Sequence, residues 1–67
     1  MQNTYYELYY EDSNHIIQKF IDFNKYSLNE AIKNYNFLKT NEKFSNIKLF
    51  IVDSHKQELT EDQFPLL

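Results

Sequence analysis

Apolar and polar residues alternate along several stretches of this chain and switch to a helical period in one. From Thr4 to Glu11, Tyr6, Leu8 and Tyr10 fall on one side, with Tyr5, Glu7, Tyr9 and Glu11 on the other. Alternation in an aromatic-rich run predicts a strand with one face in a core. Asp12-Ser13-Asn14 supplies turn chemistry, and His15 to Phe23 predicts a second strand. Here Ile17, Ile21 and Phe23 share one parity, broken by Lys19, while Ile16 and Phe20 share the other with Gln18 and Asp22. That disturbed pattern leaves room for a β-bulge. Ile16, Ile17, Phe20 and Phe23 also fit a helical stripe, but the piece is short and fenced by turn residues, which favours a strand.

The helical period belongs to Leu28, Ala31, Ile32, Tyr35 and Leu38, which form one apolar stripe. Ser27 followed by Glu30 has the spacing of a capping box, and Tyr26 ahead of it is placed to act as a staple near Ala31. Asn41 is the expected left-handed cap at the far end, with Phe44 folding back over it. Ile47 to Asp53 predicts a third strand, with Ile47, Leu49 and Ile51 facing one way and Lys48, Phe50 and Val52 the other. Asp53-Ser54-His55-Lys56 predicts a turn, and Gln57 to Glu61 a short polar edge strand. Residues 62–67 read as a tail of this single domain, because Pro65 keeps them out of a sheet interior.

The order β-β-α-β-β predicts a two-layer α+β fold, one helix packed on an antiparallel sheet of strand order 2-1-3-4. Tyr6, Leu8, Tyr10, Ile17, Ile21, Leu49 and Ile51 are expected beneath the helix. One helix covers one face. The other is expected to carry Tyr5, Tyr9, Ile16, Phe20, Phe50 and Val52 beside Glu7, Glu11, Gln18 and Lys48. A solvated sheet face should read polar, and this one mixes aromatic with acidic residues. Apolar patches rimmed by polar groups have the composition of an interface. Cross-strand pairing of good strand formers is the simpler use of the same residues.

Composition narrows the picture. The chain has 67 residues, and a core that small supplies about 3–5 kcal/mol, so self-association is one way to complete it. There is no cysteine, which removes disulfides, thiol catalysis and Cys-based zinc sites and favours a reducing compartment. There is no glycine, so no glycine-rich phosphate loop exists and tight turns fall to Asn, Asp or Ser. No basic-then-apolar leader or spanning stretch is present, and a cytoplasmic, membrane-free protein is expected. Net charge is -3 and every basic residue is lysine. The missing arginine weakens a nucleic-acid reading, since arginine grips phosphates and guanine edges in two places at once.

The chemistry-bearing residues do not assemble into a reaction centre. His15 and His55 lack partners at ligand spacing, and no metal or cofactor is expected. Asp53-Ser54-His55 holds the letters of a hydrolase triad, but consecutive residues cannot form its relay. Glu7 and Glu11 share a strand face without a pocket to separate their pKa values. The expected function is therefore non-enzymatic protein binding through Tyr5, Glu7, Tyr9, Glu11, Phe20 and Phe50, with the two glutamates setting charge preference. A homodimer is the first alternative. An aromatic platform for single-stranded nucleic acid is the second, opposed by the two carboxylates beside it. In general look the chain is similar to small acidic proteins of phages and mobile elements, several of which block host defence enzymes by binding them, and the resemblance implies a larger host protein as partner, nucleic-acid-binding ones included. No residue pattern ties it to one such family.

Overall fold

A computed structural model describes residues 4–65. Strand β1 runs Tyr5–Glu11, β2 Ile17–Asn24, β3 Ser45–Val52 and β4 Lys56–Leu59, with helix α1 at Leu28–Lys39 between β2 and β3. All neighbours are antiparallel and the strand order is β2-β1-β3-β4, as the hydrophobic pattern predicts. A helix is about 10–12 Å across and strands lie about 4.8 Å apart, so one helix shields about two strands. This one shields the central pair. Tyr6 and Leu8 of β1 and Leu49 of β3 are buried against Ala31, Ile32, Tyr35 and Leu38.

Strand β2 lies outside that shelter. Ile17 and Ile21, expected in the core, are 69% and 49% exposed. For Ile21 the cause is the narrow cover, since it sits opposite buried Leu8 on the helix side. For Ile17 the cause is the bulge. Tyr6, Glu7 and Leu8 pair with Phe23, Asp22 and Ile21, but Tyr9 pairs with Lys19, leaving Phe20 without an opposite residue. One extra residue reverses the facing of everything beyond it. Ile17 thereby joins Glu11 on the uncovered face, while Gln18 joins Tyr10 on the helix side. Phe20 packs edge-on to Tyr10, ring centres 6.3 Å apart, and so leaves the uncovered face to which its parity assigned it.

A second bulge lies across β1 from the first. Tyr9 pairs with Lys48 but Glu11 with Ser45, and Asn46 takes the left-handed φ of 49°. Asn tolerates that region, and in a chain without glycine it is the natural substitute. His15, in the β1–β2 turn, is the other left-handed residue, with φ 63°. The Asp12 carboxylate closes that turn, accepting from the Asn14 and Ile16 N–H groups at 2.9 and 3.0 Å. Those hydrogen bonds, that of Ile16 foremost, together with one from the Gln18 amide, lower its pKa from the ordinary value.

The helix ends differ from expectation. No Ser27–Glu30 capping box forms. The Asn24 side-chain oxygen instead accepts from the Tyr26 N–H at 2.8 Å and from the Ser27 hydroxyl at 3.1 Å, drawing the serine away from the helix. Tyr26 is 85% exposed and staples nothing; the Lys25 ammonium sits over its ring. Asn41 is not left-handed, because the helix closes through Thr40 in the right-handed region, its hydroxyl bonded to the Phe37 carbonyl. Phe44, expected over the helix end, packs edge-on against Tyr10 of β1, ring centres 4.6 Å apart.

The segment expected as a tail is partly built in. Glu61–Gln63 forms a 3-10 turn, Glu61 ion-pairs with Lys39, and Phe64 packs edge-on to Tyr35 at 5.0 Å. Leu66 and Leu67 lie outside the described residues. Among the described residues no helix is long and apolar enough to cross a membrane.

Candidate functional site

On the uncovered face the two bulges flank the same end of β1, one in each neighbouring strand. Bulges bend their strands and sharpen the local twist. The result is an open concavity of about 470 Å³ lined by Tyr9, Glu11, Ile17, Asn46, Lys48, Phe50 and Lys56. Tyr9 and Phe50 form its aromatic floor, edge to face with ring centres 5.6 Å apart. Ile17 supplies an exposed aliphatic wall, delivered there by the β2 bulge.

Glu7 organises the charges beneath this floor. It is 8% exposed, and its carboxylate meets the Lys56 ammonium at 2.9 Å and the Lys19 ammonium at 3.4 Å. The Tyr9 hydroxyl donates to it at 3.2 Å and accepts from Lys56 at 3.1 Å. Burial pushes the Glu7 pKa up, but the hydrogen bonds from Lys56, Tyr9 and Lys19 outweigh it and hold the carboxyl below its ordinary value. Its partners shift the opposite way for the same reason. Lys56 is raised by its bond to Glu7, and Lys19 by its bond to Asp22 and then by Glu7. Thus tethered, Lys56 lies over the Tyr9 and Phe50 rings at 4.6 and 4.9 Å, a cation–π arrangement on both.

Glu11 closes the far end, accepting from the Asn46 amide at 3.0 Å and meeting His15 Nδ1 at 3.1 Å. Those two contacts, His15 first, lower its pKa. Lys48 makes no ion pair among the described residues.

The six residues singled out from the sequence therefore divide. Tyr9, Glu11 and Phe50 line the concavity, and Tyr5 stands on the same face at the other end of β1, opposite Val52. Glu7 lies under the floor, its charge met from within. Phe20 is on the other side. Ile17, Asn46, Lys48 and Lys56 were missed as site residues, although Lys48 was assigned to the correct face. Asn46 and Ile17 depend on bulge positions that alternation blurs, and Lys56 reads as turn until its strand is placed.

His15 and His55 sit in separate turns, and among the described residues no three His, Asp or Glu side chains gather to hold a metal ion. Asp53-Ser54-His55 is a turn, closed by the Asp53 N–H on the His55 carbonyl. No family model, no curated protein and no solved structure matches this chain.

Proposed function

We propose that this protein is a non-enzymatic protein-binding module that acts by occupying a surface of a larger partner. The observation that carries the reading is the concavity on the uncovered sheet face. Its floor is the rigid Tyr9–Phe50 pair, its wall is exposed Ile17, and its rim is Glu11, Asn46 and Lys48. An apolar centre with a polar rim is the anatomy of a protein interface, and aromatic anchors supply large contact area at low entropic cost. The inhibitor role that the resemblance to small acidic phage and mobile-element proteins implies fits this mode, because occupying a surface requires no reacting group.

The structure changes what recognition would rest on. Glu7 is a positioning residue in this reading, holding Lys56 over the two rings rather than meeting a basic partner. Charge preference then falls to Glu11 and Lys48 at the rim. Neutralisation of Glu7 by lysines also leaves few cations for phosphates, which sets nucleic acid behind protein as the ligand.

Affinity capture from the native host with wild type and with Phe50→Ser/Lys48→Glu tests the reading. Both substitutions lie on the uncovered face, away from the buried leucines, so unfolding should stay cooperative, with a lowered midpoint from the lost Tyr9–Phe50 contact, while the captured protein is lost below that midpoint. An identical captured set from both forms would overturn it.

A further inference from the structure

The two sheet edges are unlike. Edge strand β4 is four residues long and mostly polar, the form that natural sheets use to keep an edge free. Edge strand β2 is eight residues long, and all but Phe23 are exposed. It presents Ile17 at 69%, Ile21 at 49% and Phe20 at 41% exposure. We propose that a second copy of this chain pairs along β2, antiparallel, about a two-fold axis passing between Phe20 and Ile21.

Three properties of β2 single out a second copy over a foreign strand. The first is charge. An antiparallel pairing centred between Phe20 and Ile21 sets Lys19 opposite Asp22 of the second copy, and Asp22 opposite its Lys19. The strand is thus its own electrostatic complement, and opposite charges facing across a ladder favour pairing.

The second is facing. A two-fold axis perpendicular to a sheet keeps each face on its own side, so opposed residues must share a face. In a regular strand Lys19 and Asp22, three apart, would point to opposite faces. The bulge corrects this, because Lys19 pairs with Tyr9 and Asp22 with Glu7, both on the uncovered face. The existing contact between Lys19 and Asp22, 3.1 Å, shows that they share it. The same register sets Gln18 against Phe23 on the helix side, and Ile17 against Asn24 on the uncovered face. Phe20 meets Ile21, apolar on apolar. Side-chain facing and hydrogen-bonding direction alternate together along a strand, so matching faces also matches donors to acceptors.

The third is the bulge itself. A bulge ordinarily discourages edge pairing, because its partner strand lacks the extra residue. Here the axis passes beside it, so each strand carries its extra residue at the same point and the ladder continues in register on both sides. The product is one continuous sheet with both helices on one face and both concavities on the other.

Sedimentation analysis of wild type, Lys19→Asp and Asp22→Lys tests the proposal. Each single variant sets like charges opposite one another twice and should associate at least about tenfold more weakly than wild type. An equimolar mixture of the two variants restores both opposite-charge pairs and should recover the dimer. Should either variant fail to fold, oxidation of Ile21→Cys decides alone. This position lies beside its own copy across the axis in a chain without other thiols, and it should form a covalent dimer faster than His55→Cys at the opposite turn. Wild type that stays monomeric at about 1 mM overturns the proposal. So does a dimer indifferent to both charge variants, or equal cross-linking at the two cysteine positions. The variants that test partner capture lie away from β2, so either reading can fail while the other stands.

Discussion

Glu7 shows how one residue's neighbours set its use. By parity it belongs to the open face, and parity is right. What alternation leaves out is that Lys56, two strands away, reaches across Phe50 to meet it, with Lys19 arriving from the other side. An acid expected to face a partner becomes the internal anchor of that face. Its folded pKa lies below its ordinary value, because the bonds from Lys56, Tyr9 and Lys19 outweigh burial. The stability it adds is therefore complete above the unfolded value and is lost as pH falls through the folded one. Glu7→Gln should be less stable than wild type by about 1–2 kcal/mol at neutral pH, since two ammonium groups lose their counter-charge and one of the two acceptor oxygens becomes a donor. Urea unfolding at several pH values should show the two forms converging as the medium is acidified from the unfolded glutamate pKa, about 4.3, through the lower folded one.

At the scale of elements, α1 shows that a sequence signal and the structure it announces can separate. The stripe Ala31, Ile32, Tyr35, Leu38 is buried as its spacing requires. The capping letters beside it go unused, because Asn24 competes for the Ser27 hydroxyl and for the Tyr26 N–H. Asn24→Ala should lower stability by about 0.5–1.5 kcal/mol, and Ser27→Ala by only a few tenths, measured by denaturant midpoints. A functional capping box would give Ser27 about 1 kcal/mol, reversing that ranking. The bulges are the other element-scale lesson. The broken alternation of β2 locates an irregularity, but only pairing with β1 shows that Phe20 is the extra residue. Everything assigned by parity before it, Ile17 above all, changes face.

For the whole molecule, the covered area is the governing quantity. Among the described residues seven hydrophobic side chains are buried, and Leu8, Leu38 and Leu49 are completely so. Truncating such a leucine costs about 2–5 kcal/mol, against a total of about 3–5 kcal/mol for a domain this size. Leu49→Ala should therefore be largely unfolded at room temperature by circular dichroism, and association along β2 would raise its folded fraction with concentration. Phe64, stacked on Tyr35 beside the Lys39–Glu61 pair, extends that small core past the sheet.

The sequence alone determined the element order, the helix stripe, the strand order and the aromatic character of the open face. These follow from local periodicity and from the short connections, which leave few ways to join four strands and a helix. The tertiary structure decided which glutamate is buried and which lysine covers the rings. It also decided that Ile17 joins the concavity, that Phe20 leaves it, and that Asn24 rather than Ser27 holds the turn into the helix. The physical reason is common to all of these. A side chain's facing depends on the count of residues along two strands at once, and its partner on which distant group the sheet sets within reach. Neither quantity is written in the spacing of one strand.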